Sequence, residues 1–196
     1  MNEEQETPRA AELLTELLET GTDFAGRRIF LMGPIDDNSA RAFIASLHLL
    51  AATPGEIYVT LNSPGGEEPA GYAIYDAIQF VNRVTIDVYG EAASMAAVVL
   101  QAARVRRMGG SSDFMIHNGA RGGVISPDND AIEKVAAEIR QDNRKYYDRL
   151  LAGARRTNPK ISLRRIRQMC SRETRLSALE AVKLGFADSI LSIVGV

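Results

Sequence analysis

The stretch IYVTLNSPGGEEPAGYAIYDAIQFV, Ile57 to Val81, reads as a strand, a glycine turn and a helix in immediate succession. Ile57-Tyr58-Val59-Thr60-Leu61 is a short run rich in β-branched and aromatic residues, which suits a buried strand. Asn62-Ser63-Pro64-Gly65-Gly66 ends it with turn residues. Pro69 falls where the first turn of a helix tolerates a missing N–H, and Ile74, Ile78 and Val81 then recur on one face.

The same unit appears on both sides. Downstream, Val84 to Tyr89 is β-rich, Gly90 to Ala93 reads as a turn of small residues, and Ser94 to Ala103 suits a helix that Ser94 opens. Upstream, Ile29-Phe30-Leu31-Met32-Gly33 is a brief apolar run ended by glycine. Asp37, Asn38 and Ser39 then offer N-caps to a helix carrying Phe43, Leu47 and Leu50, which Thr53-Pro54-Gly55 stops. Arg104–Met108 and Phe114–Ile116 are further strand candidates, separated by Gly109-Gly110-Ser111-Ser112. Gly119 to Asp130 reads as a loop before a long helix, about Ala131 to Leu151, striped with Ile132, Val135, Ile139, Tyr146 and Leu150. Strands alternating with helices define an α/β layered fold with substantial parallel pairing. Met1 to Arg9 is polar and acidic and is expected to be a mobile tail, with order from about Ala10 and a short helical pattern over Ala11–Leu18.

At 196 residues, 45% hydrophobic and 24% charged, the chain supports one sizeable core, and a single domain is expected. A formal net charge of -2 argues against nucleic-acid binding, which needs an excess of Lys and Arg over phosphate. No window approaches the roughly 18 apolar residues of a membrane span. The single cysteine, Cys170, allows no internal disulfide, and the opening residues do not resemble an export signal, so a soluble cytoplasmic protein is expected.

Only two histidines, His48 and His117, can serve as an imidazole base. His48 lies in a helical run among leucines and reads as a packed or surface residue. His117 ends an apolar strand just before Asn118-Gly119, where a rigid element presents a group to a loop. Ser94 is delivered by a strand, flanked by small residues, and placed at a helix start whose dipole favours negative charge. An N-cap serine explains the same pattern. Gly65-Gly66 lets backbone approach a ligand closely and aim N–H groups at it, as an oxyanion hole requires, although a plain turn would also suffice. For a third group that orients the imidazole, spacing leaves Asp113, Asp128, Asp130, Asp148, Glu173 and Asp188 open. Lys160, Arg164, Arg165, Arg167 and Arg172 read as a solvated helix face, and Cys170 as a buried thiol rather than a nucleophile. No metal or cofactor is expected.

Gly33-Pro34-Ile35-Asp36-Asp37, Asn62-Ser63-Pro64-Gly65-Gly66, Ile74-Tyr75-Asp76, Gln79-Phe80, Ala92-Ala93-Ser94-Met95 and Met115-Ile116-His117, in this order, resemble the Clp protease proteolytic subunit, peptidase family S14. The likeness runs from about Ile29 to Leu191 and takes in Leu176-Ser177-Ala178, Gly185 and Asp188-Ser189-Ile190-Leu191. It implies a crotonase-like fold of repeated strand-strand-helix units with a protruding helix-containing handle. Residues 1–28 would form an N-terminal tail and axial segment, and residues 29–196 a single peptidase domain. It also implies a Ser94 nucleophile, a His117 base, and an oxyanion hole from the amides of Gly66 and Met95. The family's aspartate position holds Glu173. Polypeptide substrates, a homo-oligomer of stacked heptameric rings and an ATP-dependent AAA+ unfoldase partner follow from the same likeness.

The chain also departs from the pattern. The interval from His117 to Ser177 is several residues longer, and Gly119-Ala120-Arg121-Gly122-Gly123-Val124 replaces the glycine-rich strand of the handle. Met1–Arg28 does not match the family's axial tail, and Thr60 stands where the docking strand has a second aromatic after Tyr58. These departures suit a divergent bacterial paralogue or a phage-type head-maturation protease. The function expected is serine endopeptidase activity inside a ring chamber. A weakly active structural subunit of a mixed ring with a paralogue, and an acyl-CoA enzyme of crotonase type, are the readings set against it.

Overall fold

The computed structural model describes residue 15 and residues 17–119 and 129–192. The expectations for Met1–Arg9, for order from Ala10 and for nearly all of the loop Gly119–Asp130, including most of the altered handle strand, fall outside them. Of the helical pattern expected over Ala11–Leu18, residues 15, 17 and 18 are described and helical, and the helix runs on through residue 20.

Among the described residues, eight strands form one mostly parallel sheet. They are β1 (Thr22–Asp23), β2 (Arg28–Met32), β3 (Ile57–Ser63), β4 (Val84–Ala93), β5 (Val105–Met108), β6 (Asp113–Ile116), β7 (Thr174–Ser177) and β8 (Ser189–Ile190). The main path is β1-β2-β3-β4-β5-β8. β1 is antiparallel to β2, and the remaining pairs along this path are parallel. Ile29 and Leu31 of β2, Ile57, Val59 and Leu61 of β3, and Val84, Ile86 and Val88 of β4 are all buried, the near-continuous apolar pattern of a parallel sheet between covering layers. Folded structure starts upstream of Ile29: Thr22 is buried, and its Oγ1 donates to Ser46 Oγ at 2.8 Å.

β4 corrects one expectation. Gly90–Ala93, read as a turn, continues the strand: Gly90 adopts φ 89 and the pairing register with β3 shifts between Leu61 and Ser63. A glycine in this left-handed conformation bends a strand without ending it. The bend divides β4 between two partners. Thr85–Val88 pairs with β5, and Glu91–Ala93 pairs in parallel with β6, which in turn pairs antiparallel with β7. The strand that delivers Ser94 therefore lies beside the strand that delivers His117.

Among the described residues, six helices with given bounds follow the strands: α1 (Asp37–Ala51), α2 (Glu68–Val81), α3 (Met95–Ala102), α4 (Asn129–Arg155), α5 (Leu163–Ser171) and α6 (Ala178–Leu184). The α1 N-cap is Asp36, one residue before the candidates Asp37–Ser39, and it forms a reciprocal capping box with Ser39. Every residue of α3 is buried, as a helix of Ala, Val, Leu and Met requires. Its one polar side chain, Gln101, is fully engaged, donating to Ala97 O and Phe186 O and accepting from Arg106. The stripe of α4 is buried only in its second half: Tyr146 and Leu150 pack into the core, whereas Ile132 is exposed.

Candidate active site

Ser94 sits at the junction of β4 and α3 with φ 53 and ψ -120. A non-glycine residue in that region is strained, and such strain persists only where surrounding structure enforces it. Here Ser94 N–H donates to Met115 O on β6, while the all-buried α3 anchors the other side. Ser94 occupies the N-cap position yet makes no capping hydrogen bond. Its hydroxyl turns instead to His117, with Oγ and Nε2 at 2.9 Å.

His117 follows the last residue of β6 and is half-buried. Its segment is held through Asn118, whose N–H donates to Cys170 O at 3.1 Å. Asn118 Oδ1 in turn accepts from the Tyr147 hydroxyl at 2.6 Å. Tyr146, on the buried half of α4, adds a connection that residue spacing did not indicate. Its hydroxyl donates to Ser94 O at 3.2 Å. Burial holds this phenol well above its ordinary range, so it stays protonated.

The Gly65-Gly66 turn is pressed against the same junction. A Cβ on Gly65, at φ 91, would lie 2.6 Å from Ala93 O and 2.8 Å from Met95 N, so only glycine fits. Ile35 takes the amides on either side of Gly66: Ile35 N–H donates to Gly65 O, and Glu67 N–H donates to Ile35 O. The Gly66 N–H stays outside that bridge. Met95 is the first residue of α3, where N–H groups have no intrahelical acceptor. Gly66 and Met95 both line a cleft of about 740 Å³ that also contains Ser94 and His117.

Glu173 follows α5 at φ 49, directly before β7. Since Ile116 pairs with Thr174, Glu173 stands opposite His117 in the continued register. Its side chain is exposed, and among the described residues it makes no hydrogen bond to the imidazole. Of the other carboxylates left open by spacing, Asp128 and the side chain of Asp130 fall outside the described residues. Asp113 pairs with Arg175, and Asp188 binds the buried Arg106. His48 is exposed near the end of α1. Cys170 is buried, and burial pushes its thiol up to about 12, so it stays protonated and inert at neutral pH.

A strained serine at a strand-to-helix turn, facing a strand-end histidine across a mostly parallel sheet, is the arrangement of a serine-type hydrolase. The comparisons narrow that class. The Clp protease family model matches residues 13–194, and the chain belongs to this family of serine endopeptidases. It is similar to the ATP-dependent Clp protease proteolytic subunits of Streptococcus pneumoniae strains Hungary19A-6 and ATCC BAA-255 / R6. Each is 35% identical over 174 residues, spanning 85% of this chain and 85% of the relative. The family match begins well upstream of Ile29. Among the described residues, no helix is long and apolar enough to cross a membrane.

Proposed function

We propose that Ser94 attacks the carbonyl carbon of a peptide bond while His117 Nε2 removes the hydroxyl proton. The 2.9 Å contact between these atoms at a strained strand-to-helix junction carries the reading. The tetrahedral oxyanion is held by the N–H groups of Gly66 and Met95, reinforced by the positive end of α3. His117 then passes its proton to the departing amine, and water hydrolyses the acyl-enzyme by the reverse sequence. Glu173 is the group proposed to orient the imidazole. The register favours it, because residue 173 faces residue 117 across β6 and β7.

The relatives' names describe an ATP-dependent proteolytic subunit. We take this chain to cleave unfolded polypeptides within an oligomeric ring, in the cytoplasm, fed by an ATP-driven unfoldase. Hydrolysis of a short fluorogenic peptide by the purified protein and by Ser94→Ala, with light scattering to record assembled mass, tests this. A ring-sized particle whose activity vanishes in the variant supports it, as does fluorophosphonate labelling confined to Ser94. An assembled ring that neither cleaves nor labels refutes it. One observation favours a second reading, a weakly active subunit of a mixed ring: the exposed Glu173 carboxylate makes no hydrogen bond to His117. That reading requires activity only in the presence of a paralogue.

A further inference from the structure

The cleft beside Ser94 and His117 has a polarity that peptide hydrolysis itself does not demand. Its described lining carries four carboxylates, Glu67, Glu68, Asp76 and Asp142, against the single ammonium of Lys145. Glu67 and Glu68 lie at the start of α2, and Asp142 and Lys145 come from α4 across the cleft. A low-dielectric concavity lined by one sign of charge concentrates ligands of the opposite sign.

A second observation comes from Tyr72, one turn into α2. It is 7% exposed, yet its hydroxyl has no hydrogen-bond partner among the described residues. Buried polar groups are nearly always satisfied, so an orphan on a cleft wall marks a place for a ligand atom. Burial first, and then the charge of Glu68, hold this phenol above its ordinary range, with Asp142 adding to the effect and Arg149 opposing it. It is therefore a neutral hydroxyl with free lone pairs, under the electrostatic influence of Glu68 on its own helix and of Asp142 across the cleft. Lys145 Nζ rests 3.6 Å from the Tyr72 ring centroid, so the ring face is already used by a cation while the hydroxyl is not.

The same lining includes the apolar side chains of Pro69, Met95 and Ile139. A long side chain with an aliphatic stem and a cationic head matches both parts. We propose that this chain selects peptides carrying arginine or lysine beside the scissile bond. The stem lies along Met95 and Ile139, and the head donates to Tyr72 Oη and to the carboxylates of Glu68 and Asp142. A carboxylate has about four acceptor positions, so other bonds made by these residues leave room for a substrate cation. The proposal rests on the peptidase reading above and names its substrate class.

The test uses internally quenched peptides identical except for arginine, lysine, norleucine or glutamate beside the scissile bond. Hydrolysis by the wild-type protein is measured alongside fluorescence-anisotropy binding to Ser94→Ala. Arginine and lysine peptides should bind Ser94→Ala about tenfold more tightly than the norleucine peptide. They should also be cleaved with correspondingly higher kcat/KM, and glutamate should be worst. Glu68→Gln and Tyr72→Phe should each cut the arginine-to-norleucine ratio by about threefold or more. Asp142→Asn, far from the start of α2, provides the same reading where a variant at the helix start folds poorly. Equal or better handling of norleucine, or a ratio that none of these variants changes, overturns the proposal. Cleavage with an aliphatic preference removes only this inference. A basic preference in binding with no hydrolysis of any peptide removes the peptidase reading instead, and leaves the acidic cleft established.

Discussion

At the scale of single residues, two groups around His117 make different demands. Glu173 is solvent-exposed, so any orienting hydrogen bond it offers competes with water. Glu173→Gln is expected to lower kcat by about tenfold with KM nearly unchanged, far less than the roughly 10⁴-fold loss seen when a buried triad aspartate becomes an amide. Steady-state kinetics on one fluorogenic peptide checks this, and a loss near the larger figure would place Glu173 in a tighter, drier contact. Tyr146 acts from the other side, its hydroxyl donating to the backbone carbonyl of Ser94. Tyr146→Phe leaves Ser94 O without that partner. It should cost about 1 kcal/mol in urea unfolding. It should also lower kcat more than it alters KM, because the lost hydroxyl holds the backbone of the nucleophile. Unchanged kcat with reduced stability would confine Tyr146 to packing.

At the scale of elements, the site depends on three junctions meeting: β4 into α3, β3 into α2, and the end of β6 against α4. The last is anchored at its far end by Arg106 of β5. Fully buried, Arg106 donates to Gln101 Oε1 of α3, to Gly153 O of α4 and to both carboxylate oxygens of Asp188 before β8. Removing one partner leaves a buried charge uncompensated, so Asp188→Asn should destabilise the fold by about 2–3 kcal/mol, discounted from the fully buried case because the Asp188 side chain is 23% exposed. Burial tends to raise the Asp188 carboxyl, but its hydrogen bonds and attraction to Arg106 hold it below the ordinary value. A group depressed in the folded state adds stability above its unfolded value of about 3.9 and loses it as pH falls through the folded value. Wild-type stability should therefore decline below about pH 4 with a component that is missing in Asp188→Asn. Parallel urea titrations at pH 3 and pH 6 would show whether the two curves converge, and persistence of the full difference at low pH would contradict the assignment.

At the scale of the whole molecule, the fold leaves Phe80, Leu49, Met32, Tyr89 and Leu179 more than half or about half exposed. Exposed large apolar groups of this kind suit a chain that buries more surface on assembly. If the working form is a ring, diluting the protein should lower the assembled mass and the specific peptidase activity together, as size-exclusion light scattering with parallel assays would record. Full activity in a monomer fraction would contradict it. Much of the architecture was legible along the chain because helix and strand periods are local: Ile57–Leu61, Pro69 and Ile74–Ile78 specified β3, the turn and α2 without outside help. Ser94, His117 and Gly65-Gly66 were legible too, since each lies where an element ends and the residue type is unusual for that place. Other features depended on packing between distant segments. The passage of β4 through Gly90 required β6 as a neighbour, and the turning of Ser94 Oγ from a helix cap to His117 required the strained φ that β6 and α3 impose. The gathering of Tyr72, Glu68 and Asp142 around one cleft required α4 to fold back across α2. Thus the local rules of chain geometry determined which elements form and which residues end them. Long-range contacts alone decided which side chains face one another, because direction and distance between segments more than 20 residues apart are set by the packed core.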